Sequence, residues 1–154
     1  MKPLIACVDR YDGVFAMTAD GLILCVSKFG PKETMDRLAA ALTTRGISIM
    51  ARIDHAGAAA EIGMELRPTE VLIFGNPRAG TPLMQAVQTV GIDLPLKTLV
   101  WQDEGGTTWL TYNDPQWLAQ RHGVGARLDR PLRVVADALA AVANEATAES
   151  AEPP

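Results

Sequence analysis

The stretch LKTLVWQDEGGTTWLTY, residues 96–112, decides the fold class of this chain. Residues 96–101 and 107–112 are rich in β-branched and aromatic residues, and an acidic, glycine-bearing segment separates them. This pattern predicts a β-hairpin. Trp101 and Trp109 stand on either side of the turn, where they can form a cross-strand pair. These aromatic residues indicate hairpin packing or core, and the alternative is the wall of an apolar ligand pocket or a dimer surface.

Outside the hairpin, strands and helices alternate irregularly. Further strands are predicted over residues 22–27, 47–53 and 71–74 from β-rich or alternating apolar patterns. Helices are predicted over residues 31–45, 56–64, 81–90 and 115–122, and from residue 131 onward. Because long helices separate only some of the strands, we expect an α+β domain: a mainly antiparallel sheet with helices packed on one face. A dimer partner or a ligand would cover the other face.

Composition and charge narrow the class of protein. The chain has 154 residues, 48% of them hydrophobic and 21% charged, which is typical of one globular domain. The formal net charge of −4 provides no basic field for a phosphate backbone, so we expect no nucleic-acid partner. No segment approaches the roughly 20 apolar residues that span a bilayer, and no signal peptide is recognisable. We therefore expect a cytoplasmic protein without a membrane partner.

The ends of the chain differ in composition from its middle. We expect residues 1–19 to be an N-terminal extension outside the core fold and residues 20–143 to form a single α+β domain. Residues 144–154 are rich in Ala, Glu, Thr, Ser and Pro, which predicts a disordered acidic tail. Met17 would make a sensible native start, so residues 1–16 are interpreted as an extension that intact-mass analysis of natively expressed protein can test.

The segment FGNPRAGTP, residues 74–82, is the first candidate site. It is interpreted as a strand end, a loop and a helix that begins with Thr81 as N-cap and Pro82 in the first turn. Free N–H groups at such a helix start, together with Asn76, Arg78 and Gly80, would bind an anion. The alternative is that the glycines and prolines only build a tight connection. The segment matches neither a P-loop nor a dinucleotide-binding fingerprint.

His55, after Asp54 at a strand end, is the second candidate. Its imidazole could bind a metal or haem iron, or act as a general acid or base, and the alternative is a partly buried side chain bonded to the backbone. His122 is interpreted as a suitable residue for a helix C-terminus. Cys7 and Cys25 lie in apolar strand runs and have no companion at a recognisable spacing, so the sequence does not support nucleophilic catalysis.

Several ordered blocks resemble one protein family. They are IDHA at 53–56, TEVLIFGNP at 69–77, GTPLM at 80–84, DLPLK at 93–97 and YNDP at 112–115. Together they look like domain of unknown function family 302. The resemblance implies a compact α+β fold similar to that of the TATA-box-binding protein and pairing as a homodimer. It implies no established reaction, but it implies haem binding in some relatives, a role that would fall on His55 here.

We therefore expect a homodimeric module that binds a small, anionic and apolar molecule. His55, Asn76, Arg78, Gly80 and Thr81 would contact it; haem is the candidate cofactor and His55 the candidate iron ligand. Two alternatives remain. In one, the protein is an enzyme that uses His55 as acid or base on an anionic substrate. In the other, it is an interaction domain without a ligand.

Overall fold

A computed structural model describes residues 4–7, 15–18 and 20–149 of the chain. Within them, seven strands form one sheet in which every neighbouring pair is antiparallel, in the order β1-β2-β3-β7-β6-β5-β4. The strands are β1 (Leu4–Cys7), β2 (Phe15–Thr18), β3 (Leu22–Val26), β4 (Ser48–Asp54), β5 (Thr69–Gly75), β6 (Leu96–Gln102) and β7 (Thr108–Asn113). The helices are α1 (Pro31–Thr44), α2 (His55–Glu61), α3 (Pro77–Ala86), α4 (Pro115–His122) and α5 (Asp129–Thr147). The predicted α+β class is confirmed.

The hydrophobic core lies between one face of the sheet and helices α1 and α5. Helix α1 contributes Met35, Leu38 and Leu42, whose spacing puts them on one side of the helix. Alternate residues of β5, β6 and β7 point at these helices, because side chains in a strand alternate between faces. The buried strand residues of this cluster are Cys25, Leu72, Phe74, Val100, Leu110 and Tyr112.

The predicted hairpin is β6–β7, and Trp101 pairs with Trp109 across it. Their rings stack with centroids 6.0 Å apart, and the Trp101 indole N–H donates to the Thr111 hydroxyl at 2.9 Å. Both tryptophans lie on the opposite face from Val100 and Leu110, and they are half-buried. The stack therefore belongs to the face of the sheet that α1 and α5 do not cover.

The two predicted domain boundaries differ from the structure. Residues 4–7 and 15–18, expected outside the core fold, form β1 and β2 and continue the sheet beyond β3. The disordered tail was predicted to begin at residue 144, but α5 continues to Thr147, and Ala146 and Thr147 are buried. Residues 144–147 are polar in composition, but packing of this turn on the core stabilises the helix. Residues 150–154 lie outside the described residues.

Helix α3 begins five residues before the predicted position, with its N-cap at residue 76 in place of residue 81. Asn76 is its N-cap, and the Asn76 side-chain oxygen accepts from the Arg78 N–H at 2.9 Å. Asn followed by Pro77 satisfies the same capping rules as Thr81 followed by Pro82, and the sequence does not rank the two starts. Thr81 and Pro82 consequently lie inside α3, and the loop predicted over 75–80 is wrong.

Candidate functional site

A cavity of about 330 Å³ lies beneath α3 and is the candidate functional site. It is bounded by α3, α4, the first part of α5, the start of β6 and the 3₁₀ turn Gln88–Ile92. Its lining is made of aliphatic, methionine, proline and glycine residues with two polar side chains. The lining residues are Met50, Gly75, Asn76, Pro77, Ala79, Gly80, Thr81, Leu83, Met84, Val90, Leu94, Pro95, Leu96, Pro115, Leu118, Ala119, Val124, Leu132 and Val135.

The local sequence of each element explains its apolar side. In α4, Pro115, Leu118 and Ala119 recur at helical spacing and all three are buried. Asp114 caps this helix by accepting from the Gln116 N–H at 3.1 Å, and Gly123 ends it with a φ of 66°. The cap and the left-handed glycine set where α4 begins and ends, and so which of its residues face the cavity.

Helix α3 covers the cavity without being anchored in the core. None of its residues is fully buried, although Leu83 and Met84 are half-buried against the cavity. Its principal neighbour is the following 3₁₀ turn, which places Val90 in the cavity wall. Elements with few buried apolar contacts lie at the low end of local stability. Helix α3 is therefore the part of the wall that costs least to displace.

The cavity is electrically neutral over the described part of the chain, because no lining residue carries a charge. The polar side chains are those of Asn76 and Thr81. The Asn76 side-chain oxygen Oδ1 accepts from the Arg78 N–H, so the Asn76 side-chain NH₂ group is the donor left for a bound molecule. Such a lining stabilises apolar, uncharged molecules, and it would leave an enclosed carboxylate unpaired.

A polar cluster lies beside the cavity, where α4 ends. The His122 Nε2 atom is 2.5 Å from Asp93 Oδ2, and its Nδ1 atom is 3.2 Å from the Thr89 hydroxyl. The imidazole is 8% exposed and the Asp93 carboxylate 14%. Arg121 Nη1 lies 3.2 Å from both oxygens of Asp93. We name these four residues the His122 cluster.

The family model described as "Domain of unknown function DUF302" matches residues 24–146 of the chain. The chain belongs to the DUF302 family. A solved structure, "Crystal structure of uncharacterized conserved protein DUF302 from Bacillus stearothermophilus", superposes on this DUF302 domain with a TM-score of 0.73. The two chains are 23% identical, and the aligned region covers 82% of this chain and 98% of the solved one. At this identity the likeness establishes the fold. The family resemblance noted in the sequence is confirmed.

Curated relatives of this DUF302 domain carry a channel name. A Brucella suis biovar 1 (strain 1330) chain called "Fluoride-specific ion channel FluC 1" is 42% identical over 128 residues, which are 83% of this chain and 50% of that one. A Brucella abortus biovar 1 (strain 9-941) chain of the same name is also 42% identical, over 47% of its length. This DUF302 domain spans about half the length of the curated relatives it matches. None of its described helices is long and apolar enough to cross a membrane.

The structure brings together three of the five predicted site residues of the DUF302 domain. Asn76, Gly80 and Thr81 line the cavity, whereas Arg78 and His55 do not. Anion binding at Gly80 and Thr81 stays a prediction, but its expected donor is engaged, because the Gly80 N–H donates to the Asn76 backbone carbonyl at 3.1 Å inside α3. Its N–H group is therefore not free for an anion.

His55 is the first residue of α2, where its side chain is exposed. Asp54 beside it caps that helix, accepting from the Gly57 N–H at 2.9 Å. No group of three or more His, Cys, Asp or Glu residues suited to a metal ion occurs in the described part of the chain. The role of His55 as a haem ligand stays a prediction.

The His122 cluster was missed by the sequence reading, which treated His122 as a helix-end residue. Asp93 and His122 are 29 positions apart, so no spacing rule joins them. One signal was available: His122 follows Pro115, Leu118 and Ala119 at the spacing of one helix face, and that face is otherwise apolar. A titratable residue at the end of an apolar stripe indicates a buried partner.

Proposed function

We propose that this DUF302 domain binds a small, predominantly apolar and uncharged molecule in the cavity beneath α3. One observation carries the proposal: a cavity of about 330 Å³ whose lining holds no charged side chain. Pockets that take small molecules have volumes of about 300–1,000 Å³ and are lined mostly by hydrophobic residues with a few polar groups. Asn76 and Thr81 supply such groups here.

Burial of apolar surface supplies the affinity. Each Å² of apolar surface removed from water contributes about 25 cal/mol, so a ring-sized molecule that fills the cavity gains several kcal/mol. Helix α3 provides a route of entry, because no side chain of it has to leave a fully buried position. The Asn76 amide N–H would orient a molecule with one hydrogen-bond acceptor.

This proposal differs from the sequence expectation in the charge of the bound molecule. Arg78, the cation expected to receive an anionic group, lies outside the lining and its side chain is exposed. A carboxylate or a haem propionate inside the cavity would meet no described cation, and an unpaired buried charge is strongly unfavourable. A neutral molecule avoids that cost.

The homodimer expected from the sequence remains part of the proposal. Its support is the half-buried Trp101–Trp109 stack on the sheet face that α1 and α5 leave uncovered, and the exposed Ile49 and Ile53 on edge strand β4. Exposed apolar surface of this kind favours association. Light scattering after size exclusion tests it, and a monomeric mass at micromolar concentration would count against pairing.

Binding of the neutral fluorophore N-phenyl-1-naphthylamine tests the cavity directly. We expect saturable fluorescence enhancement in the wild type and at least about tenfold weaker binding in Gly80→Leu, whose side chain would enter the cavity. A Cβ at Gly80 meets Leu94 and Met84 at 3.5 and 3.9 Å, so the backbone accommodates it. Gln85→Leu, an exposed α3 position outside the lining, is the matched control. Equal binding by both variants would refute the proposal.

The Brucella relatives favour a second candidate function. We propose that the domain also acts as an accessory to a fluoride-specific channel, since it is 42% identical to half of chains that carry that name. The other half of each Brucella chain would then hold the channel. The test is fluoride resistance of cells that express the Brucella suis chain with and without its matched half, and with this domain supplied separately. Resistance that is unaffected by the deletion would exclude this function.

A further inference from the structure

The His122 cluster joins two walls of the cavity. His122 and Arg121 end α4, whereas Thr89 and Asp93 belong to the 3₁₀ turn and the residue after it. The Asp93–His122 contact is 2.5 Å and the Thr89–His122 contact is 3.2 Å. A hydroxyl, an imidazole and a carboxylate thus lie in hydrogen-bonded series, which is the arrangement that activates a hydroxyl nucleophile.

One tautomer of the imidazole satisfies both contacts. Asp93 is a carboxylate and accepts, so the His122 Nε2 atom carries the proton and donates it. In the tautomer with this single proton, Nδ1 holds a lone pair that can accept from the Thr89 hydroxyl. In this tautomer the carboxylate orients the imidazole with its Nδ1 lone pair toward the hydroxyl.

Solvent exposure increases along the series from the Asp93 carboxylate and the His122 imidazole to the Thr89 hydroxyl. The Asp93 carboxylate and the His122 ring are almost buried, at 14% and 8% exposure, whereas Thr89 is exposed. Arg121 pairs with both Asp93 oxygens and holds the carboxylate in place from the solvent side. A base that a carboxylate orients beside an accessible hydroxyl is the arrangement in which a hydroxyl nucleophile is activated.

The cluster also adjoins the cavity on two elements. Thr89 precedes Val90 and Asp93 precedes Leu94, and both of these apolar residues line the cavity. On α4, His122 is one turn beyond Ala119, on the face that contributes Pro115 and Leu118 to the lining. The four residues of the cluster do not line the cavity themselves, but their neighbours in the chain and on α4 do, so the cluster lies at the margin of the cavity.

We propose that Thr89 is a nucleophile for carboxylic esters whose apolar acyl group occupies the cavity, with His122 as general base and Asp93 as a positioning residue. The inference rests on the proposed function, because it uses the same cavity for the acyl group. The Thr89 oxygen forms a bond to the acyl carbon while its proton passes to His122 Nδ1. The bond to the leaving alkoxide breaks, and that alkoxide takes the proton from His122. Water then hydrolyses the threonyl ester by the same proton path, releasing the acid.

Release of p-nitrophenol from p-nitrophenyl hexanoate measures this reaction. We expect Thr89→Val, which keeps the shape and removes the hydroxyl, to lower the protein-dependent rate by about 100-fold or more, in the range expected for loss of an activated nucleophile. Thr89→Ser should retain the reaction, and His122→Asn should lose it. Thr43→Val removes an exposed hydroxyl that donates to the Ala39 carbonyl and is the matched control. Mass spectrometry of quenched wild type should find one hexanoyl group on Thr89.

The outcomes separate this inference from the proposed function. If N-phenyl-1-naphthylamine binds but Thr89→Val hydrolyses the ester as fast as wild type, the nucleophile assignment is overturned and the cavity remains a binding site. The absence of any protein-dependent hydrolysis overturns it equally. If the fluorophore does not bind while acylation of Thr89 occurs, the nucleophile stands and the cavity is not its acyl site. Because Thr89 is exposed, its variants test the reaction without disturbing the core.

Discussion

Replacement of Arg37 by methionine is expected to destabilise the fold by about 2 kcal/mol, although Arg37 lies far from the cavity. Arg37 extends from α1 to the end of α5, where its Nη2 donates to the Glu145 carbonyl at 3.0 Å and to the Ala148 carbonyl at 2.9 Å. Its guanidinium also lies 4.1 Å from the centre of the Phe29 ring. Methionine keeps much of the apolar stem and removes all three interactions.

The magnitude follows from opposing contributions. Hydrogen bonds from a charged donor contribute about 1.5 kcal/mol each at the lower end, and a partly exposed cation–π contact about 1 kcal/mol. Against these, the Arg37 Nε is buried with no hydrogen-bond partner among the described residues, which costs about 1–3 kcal/mol. The difference is a net stabilisation of about 2 kcal/mol, which corresponds to a Tm shift of about 4–8 °C for a domain of this size.

Urea unfolding followed by tryptophan fluorescence is the assay, with Arg45→Met as the matched control. Arg45 also links α1 to Glu145, at 2.8 Å, but both side chains are substantially exposed, at 34% and 49%. We expect the control to lose less than about 1 kcal/mol. If the two variants lose the same free energy of unfolding within error, the helix-end carbonyls do not need Arg37 and the reasoning fails.

Two further predictions concern a glycine turn and a buried thiol. Gly21→Ala is expected to cost about 2–5 kcal/mol in the free energy of unfolding, because φ is 74° there and a Cβ would lie 2.2 Å from the Trp117 ring. Gly106→Ala, with φ of 84° and no atom within 4 Å, should cost only about 1–2 kcal/mol, and equal losses would contradict the clash. Burial raises the pKa of the Cys25 thiol well above its usual range. The unfolded thiol ionises near pH 8.5, so stability is intact below that pH and falls by about 1.4 kcal/mol per unit above it. Urea unfolding at pH 8 and pH 10 should show this loss in wild type and not in Cys25→Ala; parallel losses would refute it.

The binding proposed for the cavity and the acyl transfer proposed for the His122 cluster depend on different features of the DUF302 domain. Binding would depend on the apolar volume beneath α3, whereas acyl transfer would depend as well on Thr89, His122 and Asp93. The Thr89→Val variant would remove the nucleophile and leave the cavity intact, whereas Gly80→Leu would fill the cavity and so impair both binding and acyl transfer. A family member that kept the cavity without a hydroxyl at the position of Thr89 would be expected to bind and not to react.

Local patterns predicted most of the elements but not all of their limits. The β6–β7 hairpin, α1 and α4 follow from runs of one period that are bounded by glycine and proline. The start of α3 could not be predicted in this way, because Asn76–Pro77 and Thr81–Pro82 are equivalent helix starts by capping chemistry. The end of α5 could not be predicted either, because its last turn is polar in sequence and Arg37 stabilises it by donating to two of its carbonyl groups.

The sequence by itself determined the fold class and the family, since both depend on periodicity and on ordered short motifs that do not require knowledge of contacts. It also marked the segment 74–82, which does contribute Asn76, Gly80 and Thr81 to the cavity. Only the tertiary structure decided that this cavity is neutral, that His55 is exposed outside it, and that His122 meets Asp93 and Thr89. Those facts depend on which faces of α3, α4 and the 3₁₀ turn meet, and contacts between residues far apart in the chain have no local signature.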